Sequence, residues 1–214
     1  MFNAFTGMVM NQAFIQYGGD LALSGYGIVN SVQYLLILPL YGIVQGIQPI
    51  FAFNMGAKLW SRVKEALKIS LVWSVFIGIV VFLATRIWPE SLVGVFTDNQ
   101  ELKDMAVYMV KIWMLGVPVV GVQTVDASFY QTMGQPIKAT LLSSTRQFIV
   151  LVPALLIFPR LFGFVGVLSA MPITDYIFST VTFIFLFISH RQMIERQGEQ
   201  EEDIIEVLES KKTI

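Results

Sequence analysis

Four ionisable side chains stand inside runs that are otherwise apolar: Lys111, Asp126, Arg146 and Asp175. An unpaired charge in such surroundings is costly, so each must find a partner, reach water, or do chemistry with an ion. Asp126 lies eight residues before Gly134 and Arg146 lies twelve after it, across the turn composition Met133-Gly134-Gln135-Pro136. In two antiparallel helices joined at that turn they fall at similar depth, and an Asp126–Arg146 ion pair is expected. Such a pair either fixes two helices or takes part in moving an ion, and the spacing leaves both open. Asp175, in "MPITDYIFS", has no basic partner at its depth. It is a candidate for a proton- or cation-responsive carboxyl, with a purely structural hydrogen-bonding role as the alternative. Lys111 stands near the end of its run, where its long stem can carry the ammonium to an interface.

Amides accompany these charges. Asn11, Gln12 and Gln16 fall in the first apolar run, Asn30, Gln33, Gln45 and Gln48 in the second, and Gln123 in the fourth. Gln33, Gln45 and Gln48 lie close to one helical face. With Asn30 and Gln123 they are candidates to line a wet cavity, although amides also hold helices together in an apolar medium. Prolines recur in the same runs at Pro39, Pro49, Pro118, Pro153 and Pro172. Each removes a backbone hydrogen bond and tends to kink its helix. Pro39, Pro49 and Pro118 are the hinge candidates, because helices bent around a central site are a habit of transporters.

These residues need elements to hold them, and composition limits the choice. Of 214 residues, 55% are hydrophobic and only 14% are charged, against about 25% charged in ordinary soluble domains. Mean hydropathy is +0.68. Lipid is the simplest solvent for such a chain, and a helix that spans it needs about 20 mainly apolar residues. The apolar runs predict an all-α integral membrane protein with six spans. They cover about 1–17 (short), 24–53, 69–88, 105–130, 139–159 and 165–189. Breaker compositions separate them at Gly18-Gly19-Asp20, 54–65, 89–104, 133–136 and 160–163.

Loop charge sets the expected orientation. The loop at 54–68 carries Lys58, Arg62, Lys64 and Lys68 against Glu65 alone, the following loop is mainly acidic, and the next has Lys138. The positive-inside rule places the first and third of these and the C-terminus on the cytoplasmic side. The stretch 1–190 forms the membrane domain and 191–214 an acidic tail, in which, from Gln192 on, Asp and Glu outnumber Lys and Arg by seven to three. Ile204, Ile205 and Leu208 allow a short amphipathic helix there. Trp60, Trp73, Trp88 and Trp113 are expected near the interfaces or one turn inside.

Several function classes drop out. The absence of cysteine excludes disulfides and thiolate metal sites. No metal-ligand spacing, P-loop, GxSxG or HExxH occurs, so neither an enzyme nor an ATP-binding subunit is expected. The single histidine, His190, sits beside Arg191 at the edge of an apolar run. A net charge of −1 with no basic tract excludes a nucleic-acid partner.

Two stretches resemble a known family. "YGIVQGIQPIFAFNMGAKLWSRVKEALKISL" and "FYQTMGQPIKATLLSSTRQFIVLVPALLIFPRLFGFVGVLSAMPITD" are similar to multidrug and toxic compound extrusion (MATE) transporters. The first carries the resemblance through Gln45, Gly46, Pro49, Asn54, Gly56, Ala57 and Arg62. The second does so through Gly134, Pro136, Arg146, Gln147, Pro153, Gly163, Gly166, Pro172 and Asp175.

The resemblance implies the C-terminal six-helix lobe of a twelve-helix, two-lobe transporter in the cell membrane, a bacterial inner membrane being the expected setting. It implies export of organic cations in exchange for Na⁺ or H⁺, with no other cofactor. The implied partners are lipid, small organic cations, and an N-terminal lobe or a second copy. The short first span leads us to expect a fragment rather than a half-length product. Members of the family also use acids in the first and fourth spans of this lobe. Here the first span has none, and Asp126 lies on the fourth. Two other readings stand beside this one: a lipid-linked oligosaccharide flippase, which calls for more deep basic residues than Arg146 and Lys111, and a membrane scaffold acting through its tail.

Overall fold

Lipid offers the backbone no hydrogen bonds, so apolar runs of this length must satisfy their own amides, and helices do so. The computed structural model describes residues 2–134 and 146–212, with side chains for 5–134, 146, 148–184 and 186–187. The Lys138 loop, Pro136, the expected start of the fifth span and the tail's side chains, with His190 and Arg191, lie outside the described residues. Along the chain come α1 (Phe2–Gly56), α2 (Trp60–Ile87), a short α3 (Pro89–Gly94), α4 (Gln100–Trp113), α5 (Val117–Thr132) and α6 (Val152–Lys212). A 3₁₀ turn, Met114–Gly116, joins α4 to α5, and a π-helical turn, Arg146–Leu151, leads into α6. Among the described residues there is no strand.

Among the described residues, four stretches are long and apolar enough to cross a membrane: Phe5–Gly56, Trp60–Ile87, Gln100–Thr132 and Phe148–Ile184. The first has 52 residues, about 78 Å if straight, against a hydrocarbon layer of about 30 Å. It is not straight. Gly19 has φ 71° and ψ −171°, a conformation that glycine adopts at little cost. Across it the Phe14 and Tyr26 rings stack with centroids 4.5 Å apart, although a straight helix would separate them by about 18 Å. The chain therefore doubles back at Gly19.

α6 does the same at Gly163, where φ is 58°. Beyond that break, a β-carbon on Gly166 would collide with the Phe158 carbonyl, a residue about 12 Å away in an unbroken helix. The two reversals divide the four stretches into six segments, and both breaks fall at expected positions.

Small residues bring α2 and α5 together. Ser70, Ser74 and Gly78 are buried at four-residue spacing along α2. A β-carbon on Gly121 of α5 would come within 2.8 Å of the Ser74 carbonyl oxygen. The Ser70 and Ser74 hydroxyls donate back to the Leu67 and Leu71 carbonyls at 2.9 Å, so neither is left unsatisfied. The other face of α2, with Val72, Trp73, Phe76 and Leu83, is exposed and apolar. Small residues inside and large apolar ones outside suit lipid as solvent.

One core cluster centres on Phe14, Val29, Met109, Trp113 and Leu168. The other centres on Phe51, Val63, Val125, Phe129 and Leu186. Trp113 is buried in the first of these clusters, where its ring packs against Tyr26 and Phe14.

The C-terminal end of α1 closes on Lys58, which has φ 57°. The Leu59 amide donates to the Asn54 carbonyl at 2.8 Å and the Lys58 amide to the Met55 carbonyl at 3.0 Å. This is the paired hydrogen-bond pattern of a Schellman cap. Asn54 contributes from its side chain, whose Nδ2 donates to the Ile50 carbonyl at 2.8 Å.

Candidate functional site

Pro118 follows the 3₁₀ turn and stands at the start of α5, where its missing N–H costs least. The turn exposes backbone on the side facing α6. There the Tyr176 hydroxyl donates to the Leu115 carbonyl at 3.0 Å. A β-carbon at Gly116 would overlap the Asp175 carboxyl, so glycine makes room for that acid. About two turns further along, on α5, Gln123 Nε2 donates to the Asp175 backbone carbonyl at 2.7 Å. Asp175 is therefore seated between α5 and the turn that precedes it.

Its partner is Arg146, whose Nη2 donates to Oδ1 of the Asp175 carboxylate. The expected Asp126–Arg146 pair is not formed, and the absence of a basic partner expected for Asp175 is also corrected. Equal offsets from a turn fix depth but not the direction in which a side chain faces. Two features decide the direction here. The reversal at Gly163 returns Asp175 alongside the segment that carries Arg146. That segment is also π-helical, so it departs from the 100° step assumed for an α-helix. Pro153 lies just beyond, and a proline clashes with the carbonyl four residues before it, which a wider turn relieves.

Asp126 has a different environment. It is fully buried, and neither carboxyl oxygen has a hydrogen-bond partner among the described residues. Gln123 Oε1, Ser128 Oγ and Ser179 Oγ are buried without partners in the same way. α5 and this part of α6 run parallel: Gln123 meets Asp175, and further along both helices Phe129 shares a core with Leu186. One turn onward from the Gln123–Asp175 bond, Asp126 falls at the level of Ser179. A bonded acid and an unbonded one thus sit a turn apart at one helix–helix contact. Among the described residues no three His, Cys, Asp or Glu side chains cluster as metal ligands.

The remaining candidates do not converge on this contact. Gln33 accepts from the Trp113 indole at 2.9 Å, which ties α1 to α4. Asn30 bonds Tyr26 one turn away on its own helix. Gln45 is exposed and Gln48 half-buried. Pro39 and Pro49 lie inside α1, where Gly19 is the position that leaves helical geometry. Asn11, Gln12 and Gln16 are exposed along one face of the first half of α1, beside a surface hollow that Met8 and Ile15 also line. Sequence reasoning missed Gly116, Leu115 and Tyr176. The glycine four residues after Ile112 and two before Pro118 was the available signal.

Comparison with known proteins bears on this arrangement. The MatE family model matches residues 1–156. The multidrug export protein MepA of Staphylococcus aureus (strain MSSA476) is 27% identical over 184 residues, covering 86% of this chain and 40% of that protein. MepA of Staphylococcus saprophyticus is 25% identical over 183 residues, with the same coverage. The chain thus spans about two fifths of the length of these curated relatives. Among solved structures, the MATE multidrug transporter DinF-BH superposes with a TM-score of 0.75 at 31% identity, covering 87% of this chain and 42% of that one. An outward-facing multidrug resistance MATE family transporter of the MOP superfamily gives a TM-score of 0.83 at 15% identity, over 89% and 43% of the two chains. The second likeness is one of fold.

Proposed function

Because the chain belongs to the MatE family, whose model covers residues 1–156, we propose that it is one six-span lobe of an exporter of organic cations, driven by exchange for Na⁺ or H⁺ through alternating access. The observation that carries this reading is Asp126, a fully buried carboxyl with no hydrogen-bond partner among the described residues. A carboxylate held charged in such a place is strongly disfavoured, so it calls for a proton or a cation. Bound drug cation and coupling ion then compete for one negative charge, and that competition is exchange. With one acid at hand, a metal ion would draw its other ligands from amide and hydroxyl oxygens, such as Gln123 Oε1.

Arg146 and Asp175 support this as a neutralised pair that holds the contact while Asp126 changes state. The pairing also weakens the flippase reading, since the guanidinium is already bonded to a carboxylate and is not left to meet pyrophosphate. The exposed Asn11, Gln12 and Gln16 face is poorly suited to lipid. It fits the wall of a cleft completed by a second lobe. In this reading the basic loop after α1 and the C-terminus face the cytoplasm of a bacterial cell.

Ethidium efflux tests the proposal, measured in cells that express the 214-residue chain alone or joined behind an N-terminal lobe of the family. Efflux by the joined form alone supports a lobe that needs its complement. Efflux by the short chain supports self-pairing. Efflux by neither, with both inserted in the membrane, rejects the exporter reading.

A further inference from the structure

We propose that residues 88–96, between α2 and α4, lie in the headgroup layer of the bilayer and anchor one end of the lobe there. The length of α2 gives the depth. Lys68 and Arg86 bracket a run without charge. Their separation of 18 residues is about 27 Å of helix, against about 30 Å of hydrocarbon. The chain therefore reaches the far edge of the hydrocarbon as α2 ends at Ile87.

It does not turn straight back. The connection to α4 takes residues 88–99, whereas helices in bundles are usually joined by about 2–8 residues. Trp88 leaves helical geometry, with φ −125° and ψ 44°, and Pro89 starts α3. α3 is held to the lobe through Pro89 and Val93, which are buried one turn apart. Val93 belongs to the core cluster of Phe14 and Met109. The residues at either end of α3 are open: Trp88 is 60% exposed, Val95 75% and Phe96 40%. Asn99 then turns the chain into α4, its side chain accepting from the Leu102 amide at 3.0 Å.

These apolar side chains continue a face suited to lipid. Val72, Phe76, Val80, Leu83 and Ile87 are exposed along one stripe of α2, and Trp88 follows at its end. Tryptophan and other apolar side chains beside polar ones suit the boundary between hydrocarbon and water. The polar ones are at hand, since Glu90, Asp98, Glu101 and Asp104 are all exposed. Against these four carboxylates residues 88–104 carry Lys103 alone as a cation. The segment therefore enters the layer through apolar contact and not through attraction to anionic lipid. The inference rests on the membrane fold, and neither on transport nor on which side of the membrane α3 faces.

The chain has no cysteine, so single labelling sites can be introduced without removing any. Val95→Cys, Phe96→Cys, Asp98→Cys and Glu101→Cys would each carry a spin label in phosphatidylcholine vesicles. Collisions with oxygen, which concentrates in the bilayer, are compared with collisions with a water-soluble nickel chelate. The oxygen-to-nickel ratio is expected to be several-fold higher at positions 95 and 96 than at 98 and 101. Exchanging part of the lipid for phosphatidylglycerol should not raise it.

A nickel response at 95 equal to that at 98 would overturn the proposal and place the segment in water. Protection of 95 from both reagents would overturn it in favour of a protein partner. If that protection came only when the chain is joined behind an N-terminal lobe, the partner would be that lobe. A marked rise with phosphatidylglycerol would overturn the apolar basis of the contact. A second reading needs no cysteine. The fluorescence lost in Trp88→Phe isolates Trp88, and lipid brominated near the headgroup end of its acyl chains should quench it more than lipid brominated near the chain ends. Quenching by neither, or more by the deeper bromine, would contradict the assigned depth.

Discussion

Arg146 and Asp126 respond to substitution in opposite ways, because one is bonded and the other is not. Arg146→Met removes the only cation shown beside the Asp175 carboxylate among the described residues. Breaking one side of a buried pair typically costs about 3–5 kcal/mol. Removing both charges, as Arg146→Met with Asp175→Leu, should cost much less. Thermal unfolding in detergent, run as a double-mutant cycle, would show that non-additivity, and additive losses would mean that the pair carries no coupling.

The types and depths of these residues were legible in the sequence, since a charge inside an apolar run cannot be accidental packing. Their pairing was not. Counting from a turn gives depth along a helix, whereas the π-helical turn at Arg146–Leu151 and the reversal at Gly163 decide which way each side chain faces. Gly116 was passed over because its role depends on a carboxyl that arrives from 59 residues further along the chain.

The elements were easier to read than their joints. Both reversals fall where glycine was expected to break the helix, because only a residue without a β-carbon adopts those dihedrals cheaply. The prolines differ in their setting. Helical geometry continues through Pro39 and Pro49, and Pro118 opens a helix instead of bending one. The cap on α1 falls on Lys58, a residue type with no preference for that conformation, so nothing local announced it.

Two predictions belong at this scale. Gly121→Ala forces a β-carbon to within 2.8 Å of the Ser74 carbonyl oxygen, so α2 and α5 must separate. Overpacking of this kind typically costs about 1–3 kcal/mol, and a lowered midpoint in thermal unfolding would register it; an unchanged midpoint would mean the contact is looser than described. Pro49→Ala restores a backbone donor near the C-terminal end of α1 without adding bulk. If that end moves as the lobe opens and closes, efflux by the two-lobe form should slow while membrane insertion holds. Unchanged efflux would remove Pro49 from the mechanism.

At the scale of the whole molecule, the chain is one all-helical membrane lobe that matches about 40% of its curated relatives. The bilayer explains why so much of this was readable: lipid permits few backbone arrangements, so composition and breakers nearly determine the fold class. Lipid also explains why the site was harder to read. Acids and amides serve helix packing and ion exchange with the same side chains, and only their hydrogen bonds separate the two uses. Gln33 is accounted for by Trp113; Asp126 is accounted for by nothing among the described residues.

The most direct measurement is ethidium efflux driven by an imposed Na⁺ or H⁺ gradient, in the chain joined to an N-terminal lobe, with Asp126→Asn compared to the parent. Asparagine keeps the size of the side chain and removes the charge for which, in the proposed mechanism, ion and drug compete. The account predicts that the variant reaches the membrane in normal amount and loses gradient-driven efflux. Full efflux by the asparagine form would contradict it and would place the coupling charge elsewhere.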